Sequence, residues 1–286
     1  MKKTTSYFTC LCLVSTLFII GACKSQRNIT EPDDLENYTT ITNTEQLLRS
    51  MVPGARLLVK SGDYFLSDWT ELNTEYLRWI EVFDGKEPQF TGLNDVVIKG
   101  EAGARILIKP RYAWVLHVSN SDNLRFENLT FGHEDGGYCV GGVLGFKESQ
   151  SIRVKACQLF GSGTEGYGLE GVQNFVMEGG RVYECTYDLM TVSNSSGVRF
   201  EGVTFSETGE FDLININQSR DLSFKDCVFR ENNTGDYLPH FFRVDPTSSP
   251  VLVEGCTFQN NRVSKLVNRT DGLTLKDNTF EGNDFE

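Results

Sequence analysis

Val198-Arg-Phe200-Glu-Gly-Val-Thr-Phe205 is followed 24 residues later by Leu222-Ser-Phe224-Lys-Asp-Cys-Val-Phe229. Both stretches read as an apolar-x-apolar pair, four further residues, then one more apolar position. The same phrase appears as Leu124/Phe126 with Phe131, Ile152/Val154 with Leu159, and Phe175/Met177 with Val182. It closes the chain as Val251/Val253 with Phe258 and Leu273/Leu275 with Phe280, and Val96/Ile98 starts it. The first positions are separated by 28, 28, 23, 23, 24, 29 and 22 residues. Alternation with a period of two inside a repeat of about 25 residues means short stacked strands rather than helices.

A third strand lies upstream of each phrase. Counting back six and eight residues gives Leu116/Val118, Leu144/Phe146, Tyr167/Leu169, Met190/Val192 and Ile214/Ile216. Phe242/Val244 fits after one inserted residue. Three short strands per turn predict an all-β fold, a right-handed parallel β-helix of about eight or more turns over residues 93–286. A β-sandwich also has frequent strands, but it does not repeat inward and turn positions at a fixed offset. Three residues after the second apolar position stand Cys157, Cys227 and Cys256 in three of the phrases and Asn278 in a fourth. They predict a ladder inside one tight corner. Strands about 4.8 Å apart would let Cys227 and Cys256 bond, though buried reduced thiols acting as small hydrophobes are the simpler reading.

The start of such a stack needs a lid against edge pairing. Thr44–Met51 reads as a short amphipathic helix with an N-cap at Asn43 or Thr44. Pro53-Gly54, the strand Arg56–Lys60, the turn Ser61-Gly62-Asp63 and Tyr64-Phe-Leu66 follow. This order resembles the N-terminal cap of secreted parallel β-helix proteins, polysaccharide lyases among them. The repeats resemble the parallel β-helix repeat family of the pectate-lyase-like superfamily. Residues 42–92 are therefore expected to form a cap and an insert. The insert, 67–92, carries Trp69, Tyr76, Trp79 and Phe83 and reads mainly as packing.

The N-terminus reads as an address. Lys2 and Lys3 precede an apolar run from Tyr7 to Ile20 that ends in Ile20-Gly21-Ala22-Cys23. That is the grammar of a secretory signal. The final four residues resemble a bacterial lipobox, which implies cleavage before Cys23 and acylation of its thiol. Residues 1–22 are then a lipoprotein signal peptide and 23–41 a polar, flexible tether. The expected location is the bacterial cell envelope, anchored to membrane by lipid on Cys23. Five further cysteines, Cys139, Cys157, Cys185, Cys227 and Cys256, are an odd number without a C-x-x-C pair, which argues against structural zinc or a redox dithiol.

The 286-residue chain has a formal charge of −12, and −14 once residues 1–22 are removed. Such a chain lacks the basic footprint of a nucleic-acid binder. In pectate-lyase-like proteins the outer face of the strand after the variable loop forms the substrate cleft. Here its outward columns read His117, Gly145, Gly168, Thr191, Asn215, Arg243 and Ser119, Lys147, Glu170, Ser193, Asn217, Asp245. A column at the mouth reads Trp114, Gly142, Glu165, Asp188, Asp212, His240.

Asp188 and Asp212 fall in register on adjacent turns. Like charges that close keep one carboxyl protonated near neutrality, as acid–base chemistry requires. His240, which titrates near neutral pH, and the fixed cation Arg243 follow on the next turn. These four residues are the candidate catalytic set. The alternative is that they are solvated surface. No Lys/Arg pair maps onto the lyases' catalytic base and acid. No cofactor is called for, apart from Ca²⁺ as a candidate in the loops 132–138 and 230–239, which lack EF-hand spacing. The reading is an envelope-anchored protein that binds polysaccharide or another surface partner. A polysaccharide lyase or glycoside hydrolase using the Asp pair, and a structural envelope protein, are the alternatives.

Overall fold

A computed structural model describes residues 37–137, 140–161, 163–235 and 239–285. The signal, most of the tether, Cys23 and Cys139 lie outside the described residues. Strands stack into three sheets of ten, nine and nine members. Each turn contributes one strand to the first sheet, then the second, then the third. Eight such turns and a partial ninth follow one another.

The register matches the repeat arithmetic. In the third sheet Leu116 pairs with Leu144, Leu144 with Tyr167, Tyr167 with Met190, Met190 with Ile214 and Ile214 with Phe242. In the first sheet Val96, Leu124, Ile152, Phe175, Val198 and Leu222 form the corresponding row. All these side chains are buried, and Ile214, Met190 and Phe224 have no exposed surface. Aromatic rings stack along the axis: Phe200 on Phe224 at 5.0 Å, Phe205 on Phe229 at 5.1 Å and Phe229 on Phe258 at 4.7 Å. No turn has a core of its own, so stability comes from stacking turn on turn.

The corners explain the rest of the repeat. Reversing the chain between sheets takes one residue in the left-handed region, and Asn, Asp and Gly tolerate it best. Asn128, Ala156, Gly179, Gly202, Asp226, Gly255 and Asp277 supply it between the first and second sheets, with φ of 51–65°. Beside them stands the expected ladder, where the Cys227 N–H meets Cys256 Sγ and the Cys256 N–H meets Asn278 Oδ1. Cys157, Cys185, Cys227 and Cys256 are buried free thiols, and burial pushes Cys157 up to about 12.

Two further ladders exist. Ser121, Ser149, Ser195, Ser219 and Ser248 each accept a backbone N–H from the turn before. Thr208, Asn232, Asn261 and Asn283 do the same at the third corner.

The N-terminal region departs in part from expectation. The helix Thr44–Ser50 forms and Asn43 caps it, its Oδ1 accepting the Gln46 N–H at 2.9 Å. Thr39–Ile41, assigned to the tether, is instead a strand on Leu57–Val59. Residues 56–91 supply a complete first turn. The insert is a β-hairpin, Leu77–Val82 against Gly85–Thr91. Its second strand pairs in parallel with the strand Leu116–Ser119. The hairpin thus ends the third sheet by pairing its edge.

Candidate functional site

The outer face of the third sheet carries an open groove of about 390 Å³, lined by Trp114, His117, Lys147, Glu165, Glu170 and Thr191 among others. Its floor is the Trp114 ring lying over a column of glycines. A Cβ on Gly142 or Gly168 would come within 2.4 or 2.6 Å of that ring, so the indole can lie flat only because those positions lack side chains. The backbone carrying the ring is held: the main-chain N–H of Trp114 donates to Glu87 Oε2 at 3.1 Å, and the Ala113 carbonyl lies 2.8 Å from Nε2 of buried His133.

Glu87 also holds His117, whose Nδ1 is 3.0 Å from Oε1. Burial pushes the Glu87 carboxyl up. Donors from His117, Trp114 and Gln89 outweigh it and hold the group below its usual range. Glu87 is therefore a carboxylate, His117 donates through Nδ1, and Nε2 is the ring's remaining nitrogen.

Glu165 and Asp188 are direct register partners on adjacent turns. Glu165 Oε2 and Asp188 Oδ1 are shut off from solvent and have no hydrogen-bond partner among the described residues. Asp188 is 8% exposed. Burial pushes Glu165 up to about 7, with a hydroxyl and a backbone N–H of Thr191 acting against it. Burial and then the Glu165 charge push Asp188 well above the carboxylate range, while Asn215 pulls it down and Asp212 adds to the rise. Asn215 Nδ2 donates to Asp188 Oδ2 at 3.0 Å. Two carboxyls so placed hold one proton between them more cheaply than two charges.

The sequence placed four catalytic candidates here, and the structure rearranges them. Asp212 is not the partner in the proton-holding pair. Its Oδ1 accepts the His240 N–H at 2.7 Å and faces His240 Nδ1 at 3.0 Å. Its Oδ2 is 3.5 Å from Arg243 Nε. Asp212, His240 and Arg243 thus form one compensated cluster, joined to Asp188 through Asn215, which also donates to the Asp212 carbonyl at 2.9 Å. Glu165 belongs to the same mouth column, and an acid one turn before Asp188 was the signal that could have singled it out. Tyr187 and Phe211, which precede the two aspartates, face each other at 5.0 Å.

Asp245 is no proton carrier. Although burial opposes it, donors from Ser248, Thr247 and Gln218 hold it below the carboxylate range. Among the described residues no group of three or more His, Cys, Asp or Glu side chains could hold a metal. The two loops considered for Ca²⁺ lie partly outside those residues.

Comparison with known proteins bears on the fold. The chain is similar to a pectate lyase variant from Xanthomonas campestris, with a TM-score of 0.54 and 14% identity over 87% of this chain and 79% of that one. It is also similar to a pectate lyase from Paenibacillus sp. 0602, with a TM-score of 0.53 and 10% identity over 88% and 79%. At such identities the likeness is one of fold. No curated protein matches the sequence. The family model "Right handed beta helix region" matches residues 114–285, more than half of the chain, and the protein therefore belongs to the right-handed β-helix family.

Proposed function

We propose that the protein is a carbohydrate-active enzyme that binds a polysaccharide strand across the third sheet and hydrolyses it, with Glu165 as the general acid. One observation carries this reading: a proton-holding carboxyl pair stands beside a flat, glycine-backed tryptophan in an open groove. An indole face stacks on the apolar face of a pyranose. A glycosidic oxygen leaves only if an acid protonates it, and a glutamate raised to about 7 is an acid at physiological pH. Asp188 lies beneath and acts as a positioning residue that keeps the proton local.

The charges favour a neutral glycan over a polyuronate. Glu165 and Glu170 line the groove, and Lys147, its one lysine, is already paired with Glu170 at 3.0 Å. A uronate chain would be repelled. Lys147 is therefore not free to hold a substrate carboxylate.

The test is release of reducing ends from β-glucans, xylan and mannan, with polygalacturonate and alginate as controls. Turnover on a neutral polymer that disappears in Glu165→Gln, with binding retained, supports the reading. Binding without turnover would reduce the protein to a polysaccharide-binding scaffold. We further propose attachment to the envelope through lipid on Cys23, resting on Ile20-Gly21-Ala22-Cys23. Labelled palmitate should enter the protein, and Cys23→Ser should abolish the label; unchanged labelling would overturn the anchor.

A further inference from the structure

The hairpin that ends the third sheet carries a ring which folding does not use. Phe83 stands at its tip, between the strands Leu77–Val82 and Gly85–Thr91, and is 85% exposed. Its ring meets Tyr112 at 4.9 Å with an interplanar angle of 48°.

The tip is built to stay where it is. Asp84 Oδ2 accepts the Arg111 N–H at 2.7 Å, and Oδ1 accepts the Tyr112 N–H at 3.2 Å. Gly85 lies so close on Pro110 that a Cβ would come within 2.5 Å of its ring. Leaving a phenylalanine exposed on so firmly held a turn brings the fold no burial.

We infer that Phe83 and Tyr112 form a distal sugar subsite, which a polysaccharide strand reaches when it runs beyond the Trp114 groove. The inference rests on the glycan reading of that groove. Three observations point to a glycan as occupant. The chain joins the platform to the groove: Tyr112 is two residues from Trp114, and the hairpin's second strand carries Glu87, which accepts the Trp114 main-chain N–H and faces His117. The apolar surface is one ring pair, whereas a protein interface is built around a broader apolar centre. Polar groups flank it along the chain: Asp84, next to Phe83, and Arg111, next to Tyr112, line a cavity of about 460 Å³ together with Glu81, Lys86 and the Ser67 and Thr70 hydroxyls. A pyranose offers a C–H face to a ring and hydroxyls to such groups.

The experiment uses size-graded oligosaccharides from whichever of β-glucan, xylan or mannan wild type binds. Affinity is measured for wild type, Phe83→Ala, Tyr112→Ala and Trp114→Ala, each checked for an unchanged melt. Wild type should bind long oligosaccharides about tenfold more tightly than short ones. Phe83→Ala and Tyr112→Ala should erase that advantage and leave short-chain affinity unchanged. Trp114→Ala should weaken binding at every length. A length advantage that survives Phe83→Ala overturns the subsite and leaves the groove standing. If wild type binds none of the polymers, both the groove and the subsite fall.

Discussion

The outer faces of the first and third sheets are built by the same repeat and could hardly differ more. On the first sheet, charges meet across neighbouring strands. Lys99 faces Glu127 at 3.8 Å, Arg153 grips Glu178 at 2.7 Å, and Lys225 and Lys276 converge on Glu254. On the third sheet, glycines replace side chains, an indole lies flat, and two neighbouring acids, Glu165 and Asp188, stand without a cation. Beneath both faces runs the same apolar interior. The inward positions carry the fold, so the outward positions are free to vary. Chemistry is to be sought where an outward column departs from mutual compensation.

The largest effect belongs to neither face. Ile214→Asp puts a charge into the fully buried row shared by both and should destabilise by about 4 kcal/mol or more. A wild-type melt would show the inward register to be wrong.

Next comes Glu165→Gln, which should lower turnover by at least about 100-fold without loss of fold. The same variant carries a pH signature. Glu165 titrates near 4.5 in the unfolded chain and at about 7 when folded. Between those values the folded state binds the extra proton, so stability falls as pH rises from about 4.5 to 7. Glu165→Gln has no proton to lose and should melt a few degrees above wild type at pH 8. Equal melting temperatures there would remove the burial argument.

A smaller effect is expected at Asn215, which fixes Asp188 Oδ2. Asn215→Ala should lower kcat severalfold and shift the alkaline limb of the pH profile, where the acid pair loses its proton, with little change in KM. An unmoved pH profile would make Asn215 merely structural. The smallest belongs to the first sheet. Arg153→Ala should cost about 1 kcal/mol or less, since a half-exposed ion pair contributes little, and should leave activity untouched. A loss of activity there would end the division between the two faces.

The interior was legible because the strand period places Leu116, Leu144, Tyr167 and Met190 on one side whatever the loops do. The single inserted residue between Val244 and Val251 was legible for the same reason. The serine ladder had an equally regular signal, a Ser three residues before the first apolar position in five turns. It is hidden because serine is common in turns and its hydroxyl partner lies one turn away in space. The hairpin was read as an interruption because its first strand runs antiparallel and so leaves the repeat's spacing.

At the site, the column was legible and the pair within it was not. Asp188 and Asp212 look equivalent by spacing. They differ because His240 and Arg243 compensate Asp212, while Asp188 is buried beside Glu165 with no cation on it. Which acid is compensated depends on loop paths that spacing does not encode.

The most direct test of the account is a carboxyl titration followed by infrared difference spectroscopy. Wild type should keep protonated carboxyl signal to about pH 7, with the pair titrating as a unit. In Glu165→Gln that step should be absent. Complete ionisation of every carboxyl below pH 5 in wild type would contradict the shared proton and, with it, the assignment of the third sheet's outer face as a catalytic surface.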